Sequence, residues 1–133
     1  MERYTRQRDA VLAALADSHR PLTPPAICEL AQQAVPRLNL STVYRQLKEL
    51  LECGEVVRVD LPGQPPRFEA SCEVGHDEAR HHHHHFHCNG CDRVFPIHAC
   101  PGSMKELAPE GFLVEHHDLT LHGRCSACAG AAT

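Results

Sequence analysis

The chain has 133 residues, which is enough for one medium domain or two very small ones. Aromatic residues make up only 5% of it and Trp is absent, which argues against a single large apolar core. Thirteen Lys and Arg against seventeen Asp and Glu give a net charge of −4, which argues against a generally polybasic binder of nucleic acid or membranes. No apolar run approaches the roughly 18–20 residues of a membrane span. The opening MERYTRQRDA lacks an apolar signal segment, so we expect a cytoplasmic protein with no membrane partner.

Residue types that bind metals are distributed unevenly. Eleven of the twelve His and six of the eight Cys follow Ala70. In a reducing cytoplasm, such cysteines are more often metal ligands or buried thiols than disulfides. We therefore predict an N-terminal domain over 1–70, a polar hinge over 71–80 and a metal-binding domain over 81–133.

The first domain has the pattern of three helices and a hairpin. We predict a helix from Thr5 to Ser18, a second that Thr23 caps and Pro36 ends, and a third from Ser41 that Gly54 closes. A stripe of Leu40, Val43, Leu47, Leu50 and Leu51 would face the core from the third helix. The following EVVRVDL and RFEA predict a two-stranded wing, with Val57, Val59 and Leu61 on its inner face. This order of elements is typical of winged-helix DNA-binding modules, although helical hairpins also serve as protein-interaction modules.

The exposed face of the third helix suits DNA. Ser41 and Thr42 can bind phosphate at the helix N-terminus, Arg45 can reach a guanine edge or a phosphate, and Tyr44 can contact a thymine methyl. We predict DNA contacts from Arg6, Ser41, Thr42, Tyr44 and Arg45, with Arg3, Arg8 and Lys48 as further cations. The alternative is an ordinary solvated helix face, with Tyr44 half in the core.

Two CxxC knuckles dominate the second domain. Cys88 and Cys91 form the first and Cys125 and Cys128 the second, and four thiolates complete a tetrahedral zinc site. The 33 residues between the knuckles must then fold so that their ends meet. Four unrelated thiols, or a redox pair, are the alternative. Zinc would compensate for the small core, because metal binding adds directly to the free energy of folding.

The tract His81–His85 ends near the first knuckle. As a strand it would place His83, His85 and His87 on one face and His82, His84 and Phe86 on the other, which would supply imidazoles to two metal sites. A His-rich loop with loose metal affinity is equally compatible with the tract alone. Downstream, FLVEHHDLTLHG predicts a strand that carries His117, and residues 102–107 predict a short helix that His98 and Cys100 precede.

The order of these motifs resembles the ferric uptake regulator (Fur) superfamily of metal-sensing repressors. The matching stretches are YTRQRDAVLAAL, LSTVYRQLKELLECGEV, the run HHHHH ahead of CNGC, and LHGRCSAC. The resemblance implies an α+β protein, with a winged-helix domain and a small α/β dimerisation domain that holds structural zinc at Cys88, Cys91, Cys125 and Cys128. It also implies a homodimer that binds double-stranded operator DNA, with no enzyme activity and no small-molecule substrate.

The resemblance also separates two further metal sites. His83 and His85 match a regulatory site at the hinge, and His82, His84 and His117 match a second site, for which Cys100 is the preferred fourth ligand and Ser103 or His98 an alternative. Asp60 and Cys72 match ligands of the zinc uptake regulator (Zur) branch, with Glu69 and His76 as their substitutes. A thiolate among these ligands favours zinc over ferrous or manganous ion.

The sequence therefore predicts a zinc-responsive repressor of palindromic operators. A sensor of iron, manganese or nickel with the same architecture is the first alternative. A zinc hydrolase or a metal-storage protein is a more distant one, because no HExxH or comparable open site is present.

Overall fold

The computed structural model describes residues 2–71, 84–99, 102 and 104–131. The chain divides into two units, Met1–Val74 and Gly75–Thr133, each with its own secondary structure. Residues 72–80, which make up nearly all of the predicted hinge, lie outside the described residues. None of the helices in the described ranges is long and apolar enough to cross a membrane.

The first unit begins with helices α1 (Glu2–Ser18) and α2 (Pro24–Ala31). Helix α1 starts three residues before the predicted Thr5 and ends at Ser18, as predicted; His19, which follows it, has a left-handed φ of 53°. Helix α2 carries its prolines in the first turn as predicted, although the Thr23 side chain makes no capping hydrogen bond. The helix stops at Ala31 rather than continuing to Pro36, because residues 32–37 form turns.

Helix α3 runs from Leu40 to Glu52, one residue ahead of the predicted start. Its cap is Asn39, whose side chain accepts a hydrogen bond of 2.8 Å from the Thr42 backbone N–H. Leu40 is 40% exposed, so the prediction that it faces the core is wrong. It occupies the first helical position, where its side chain projects beyond the packed turns. The core positions that the sequence predicted correctly on this helix are Val43, Leu47 and Leu50.

The wing consists of antiparallel strands β1 (Val56–Val59) and β2 (Arg67–Ala70). Val56 is buried and Val57 is 41% exposed, so the predicted inner face was shifted by one residue at the start of β1. The physical reason is that Val56 and Phe68 pack into the helical core. Leu22, in the connection between α1 and α2, forms a bridge to Phe68 with two backbone hydrogen bonds of 2.8 Å and so attaches the wing to the helices.

The second unit has a three-stranded sheet of order β4-β3-β5. Strand β3 (His84–Cys88) pairs antiparallel with β4 (Val94–Ile97) and parallel with β5 (Thr120–Gly123). A 3-10 helix covers Lys105–Leu107, which is only the second half of the helix predicted over residues 102–107. Helix α4 covers Ser126–Ala131. Strand β4 was not predicted; Pro96 fits there because β4 is an edge strand.

The predicted strand over residues 112–123 is mostly wrong. Only 120–123 pair with β3, and 112–119 have no regular structure. Phe112 and Leu113 are 71% and 82% exposed. Alternating polar and apolar residues are typical of a strand, but a segment forms a strand only where a neighbouring strand pairs with it. The described part of β3, the partner here, is only five residues long.

Candidate metal centre and nucleic-acid interface

The two knuckles meet because β3 and β5 are parallel neighbours. Cys88 ends β3 opposite Gly123, which ends β5, and each knuckle lies at or just beyond the end of its strand. A backbone hydrogen bond of 2.7 Å from Asn89 to the Gly123 carbonyl joins the two strand ends. The sulfur atoms of Cys88, Cys91, Cys125 and Cys128 all lie within 4.8 Å of one another. The predicted convergence of the two CxxC motifs is therefore present.

The spacing of these sulfurs fits a tetrahedral zinc ion. Four sulfurs at about 2.3 Å from such an ion lie about 3.8 Å from one another. The Sγ atoms of Cys91 and Cys125 are 3.9 Å apart. Zinc at this centre would supply structural cross-linking of the two knuckles, because four thiolates leave no open coordination position.

Backbone donors favour a thiolate at Cys88. Its Sγ accepts N–H groups from Cys125 at 3.3 Å and Cys91 at 3.4 Å. These bonds, that from Cys125 first, lower the pKa of the Cys88 thiol to about 6. Side-chain hydrogen bonds, to Cys88 first and then to Cys125, raise the pKa of Cys128 to about 12 because they favour its neutral thiol, and repulsion from a neighbouring thiolate adds to the effect. A divalent cation would relieve this repulsion, so the electrostatics of the cluster favour metal binding.

Gly90 lets the first knuckle approach the second. A Cβ atom at this position would lie 3.0 Å from Cys128 Sγ and 3.1 Å from Cys128 Cβ. A larger residue would require the Cys128 side chain to shift by a few tenths of an ångström, so glycine suits this close approach.

Half of the predicted second site is assembled in the described residues. His84 Nε2 and His117 Nε2 lie 3.2 Å apart, and the rings stack with centroids separated by 4.9 Å. His84 is 1% exposed. The other two predicted ligands, His82 and Cys100, lie outside the described residues, as does the alternative Ser103. The alternative His98 is exposed beyond the end of β4.

The predicted regulatory ligands fall in different parts of the chain. Asp60 is in the first unit, where its exposed carboxylate accepts a hydrogen bond of 2.8 Å from Arg58 Nε. His85 is in β3, between partners Pro96 and Thr120. Cys72 and His83 lie outside the described residues, and so does the substitute His76. The substitute Glu69 is 7% exposed in β2. Apart from the four cysteines, the described residues contain no group of three or more metal-binding side chains close enough to share an ion.

The predicted DNA-contacting face of α3 is only partly exposed. Ser41 and Arg45 are exposed, Tyr44 is 53% exposed, and Arg6 is exposed on α1. Thr42 is 7% exposed, so the prediction that it faces solvent is wrong. It occupies the turn that Asn39 caps, and its Oγ1 lies 3.5 Å from Arg45 Nη2. Thr42 therefore helps to position Arg45 from within the first turn.

Three features escaped the sequence analysis. The cap residue Asn39 had a readable signal, since Asn three residues ahead of Thr42 is a common helix start. The ion pair of Arg8 with Glu55 had no signal in the sequence, because the two residues are separated by 47 positions. In this pair Glu55 binds the guanidinium of Arg8, which was predicted to contact DNA. The hydrogen bond between His87 and Asp92 depends on how the first knuckle folds.

A winged-helix unit and a separate four-cysteine metal centre define a class of metal-binding DNA-binding proteins. The family model that matches the chain is the Ferric uptake regulator family, over residues 2–122. The chain belongs to this family. Its members are metal-responsive transcriptional regulators rather than enzymes, which confirms the prediction that the chain has no enzyme activity. They bind operator DNA and act as dimers.

Curated relatives of several metal specificities resemble the chain. The peroxide operon regulator of Bacillus subtilis (strain 168) is 30% identical over 131 residues, which cover 96% of this chain and 84% of the relative. The zinc uptake regulation protein of Escherichia coli (strain K12) is 28% identical over 131 residues, which cover 95% and 72%. The ferric uptake regulation protein of Campylobacter upsaliensis is 31% identical over 133 residues, which cover 95% and 80%.

Solved structures agree on the fold. A zinc uptake regulator in complex with zinc and DNA matches with a TM-score of 0.59 and 26% identity, over 95% of this chain and 83% of the other. A zinc-bound manganese uptake regulator matches with a TM-score of 0.70 and 24% identity, over 90% and 87%. The predicted α+β fold class is confirmed by these matches.

Proposed function

We propose that this protein is a zinc-responsive transcriptional repressor that binds palindromic operator DNA as a homodimer. The observation that carries the proposal is the chemistry of the metal donors that converge in the second unit. They are the sulfurs of four cysteines and the nitrogens of His84 and His117, with no carboxylate oxygen placed among them in the described ranges. Sulfur and imidazole ligands suit zinc, whereas manganous and ferrous ions accept more oxygen ligands.

Structural zinc would be held by Cys88, Cys91, Cys125 and Cys128, and it would stabilise the second unit. Regulatory zinc would be held by Asp60, Cys72, His83 and His85. The exposed pair of Asp60 with Arg58 contributes little stability, so it offers a metal weak competition for the carboxylate. A second zinc would be held by His82, His84, Cys100 and His117. The domain limits proposed for this arrangement are 1–70 and 81–133, with a hinge over 71–80.

Regulatory zinc would act on DNA affinity by ordering the winged helices of a dimer. Its ligands come from both domains, so zinc fixes the orientation of each reading helix, and only that orientation fits two half-sites about one helical turn apart. A coupling of about 1–3 kcal/mol would give roughly 5- to 150-fold tighter binding. The protein would act in the cytoplasm, where its operator lies.

A homodimer is supported by apolar side chains of the second unit that face solvent in the single chain. Leu107, Phe112 and Leu113 are 80%, 71% and 82% exposed, and Leu121 on β5 is 47% exposed. Apolar groups of this size at the surface are typical of protein interfaces.

The central experiment measures binding to an AT-rich palindromic duplex by fluorescence anisotropy. Protein that retains its structural zinc is titrated with buffered free zinc, ferrous, manganous and nickel ions. We expect zinc to tighten binding by roughly 5- to 150-fold at the lowest free concentration. Activation by ferrous or manganous ion at a lower free concentration than zinc would refute zinc specificity.

Cysteine variants separate the structural from the regulatory role. Cys72→Ser should leave a folded dimer with structural zinc and reduce the effect of zinc on DNA affinity. Cys125→Ser should lose the structural zinc and the fold of the second unit. Cys53→Ser, which removes an exposed thiol in the first unit, is the matched control. Identical behaviour of the first two variants would show that the division into two roles is wrong.

An iron or peroxide sensor is the second candidate. It is supported by the 30% identity to the peroxide operon regulator of Bacillus subtilis and by the 31% identity to the ferric regulator of Campylobacter upsaliensis. Under that alternative Cys72→Ser would not change metal-dependent DNA binding, which separates it from the zinc repressor.

A further inference from the structure

His87 and Asp92 form a hydrogen bond across the base of the first knuckle. His87 immediately precedes Cys88, and Asp92 immediately follows Cys91. The distance from His87 Nε2 to Asp92 Oδ1 is 2.6 Å. A carboxylate accepts hydrogen bonds, so His87 donates through Nε2. The bond thus closes a ring around the two cysteines without using either sulfur.

The two partners of this hydrogen bond differ in burial, since His87 is buried and Asp92 is exposed. The His87 side chain is 9% exposed, whereas that of Asp92 is 69% exposed. The His122 ring packs edge-on against His87, with centroids 5.6 Å apart and planes at 80°. His122 lies opposite His87 in the parallel pairing of β3 and β5, three residues before Cys125. His87 therefore contacts side chains that adjoin both knuckles.

The backbone of Asp92 is in a conformation that glycine adopts more easily. Its φ is 62°, in the left-handed region, where a side chain is disfavoured. The conformation lets the Asp92 N–H donate to the Cys88 carbonyl at 2.9 Å, while the Cys88 N–H donates to the Arg93 carbonyl at 2.9 Å. Glycine adopts this conformation most easily, and aspartate and asparagine tolerate it better than other side chains do. The hydrogen bond from His87 is an interaction of the aspartate side chain that glycine would lose.

We propose that the His87–Asp92 pair is a clamp that holds the first knuckle closed and slows the loss of the structural metal. To release zinc, Cys88 and Cys91 must separate from the second knuckle, and opening the turn between them breaks the imidazole–carboxylate bond. These are positioning residues, since neither binds the metal. The inference rests on the proposed zinc centre and is independent of which ion regulates DNA binding.

The test uses full-length protein loaded with zinc and a chromogenic chelator that reports its release. Metal analysis first establishes structural zinc in each variant. We expect Asp92→Gly to release structural zinc about tenfold faster than wild type, because a charge-assisted hydrogen bond is lost. We expect Asp92→Asn to stay within about threefold, because its amide oxygen still accepts the bond and Asn tolerates left-handed φ.

The direction in which Asp92→Gly changes the rate of zinc release distinguishes the clamp from a purely conformational role of Asp92. If the backbone alone matters, Asp92→Gly will release zinc at the wild-type rate or more slowly, and the clamp is refuted. A wild-type protein that binds no zinc at the four cysteines refutes the metal centre and the clamp together. A centre that is intact while Asp92→Gly has no effect refutes the clamp alone.

A double-mutant cycle tests whether the two side chains act on each other. His87→Phe keeps a ring against His122 and removes the donor. If the clamp operates, His87→Phe combined with Asp92→Gly releases zinc no faster than the more affected single variant. Fully additive effects on the logarithm of the rate would overturn the proposal. The matched control is His116→Phe, at an exposed histidine, which should release structural zinc at the wild-type rate.

Discussion

The Nε2 atoms of His84 and His117 lie 3.2 Å apart, although 33 positions separate the two residues in the chain. Two imidazole nitrogens bound to one tetrahedral zinc at about 2.0–2.1 Å would lie about 3.3 Å apart. At 3.2 Å, one ring can also donate an N–H to the other. The spacing of the pair therefore fits two ligands of one tetrahedral zinc ion.

Loss of this pair should remove one metal-binding site and leave the cysteine centre intact. We expect His117→Ala to bind one zinc fewer per chain than wild type when the metal is limited by a competing chelator, because only three of the four proposed ligands, His82, His84 and Cys100, remain. Inductively coupled plasma mass spectrometry after gel filtration gives the stoichiometry. His116→Ala, at the exposed neighbour, should keep the wild-type value. Unchanged zinc content in His117→Ala would remove this residue from the proposed ligands.

Arg45 is the exposed cation of α3 that we expect to affect DNA affinity most. A side chain that reads a base edge contributes about 1–3 kcal/mol, so Arg45→Ala should weaken operator binding by roughly 5- to 150-fold. Titrations at several salt concentrations separate base reading from phosphate contact, since a lost phosphate contact lowers the salt slope by about one unit. Lys105→Ala, which removes an exposed cation from the second unit, is the control and should bind like wild type.

Gln46 is a buried amide in α3 for which the described part of the chain supplies no hydrogen-bond partner. It is fully buried, and neither Nε2 nor Oε1 has a partner among the described residues. Leaving such a group unsatisfied costs about 1–3 kcal/mol. Gln46→Met, which has a similar volume, should therefore raise the free energy of unfolding of the first unit by about 1 kcal/mol in urea denaturation. Gln33→Met, at an exposed glutamine, should change it little; destabilisation by Gln46→Met would contradict this account.

The ion pair of Arg8 and Glu55 should make stability depend on pH. The hydrogen bond from Arg8 lowers the pKa of the Glu55 carboxyl below its ordinary value of 4.5. A lowered folded-state pKa stabilises the fold above the unfolded pKa, and this stabilisation is lost as the pH falls below about 4.5. Arg8→Gln should therefore reduce the difference in urea midpoint between pH 7 and pH 3.5. Arg37→Gln, at an exposed arginine, should leave that difference unchanged.

The sequence by itself was sufficient for features whose evidence is local. The spacing within each CxxC motif, the preference of thiolates for zinc and the helical pattern of Val43, Leu47 and Leu50 all depend on residues close together in the chain. These features predicted the four-cysteine cluster and the winged helix. The start of α3 was wrong by one residue because the cap is Asn39, whose side chain accepts a hydrogen bond from the Thr42 N–H.

Only the tertiary structure decided which segments are neighbours. The parallel pairing of β3 with β5 brings Cys88 to Cys125, shortens the strand predicted over residues 112–123 and leaves His117 beside His84. The burial of Thr42 and the bond between His87 and Asp92 depend in the same way on how a turn folds. Contacts between distant positions arise from the packing of whole elements, and no pattern within a single segment contains that information.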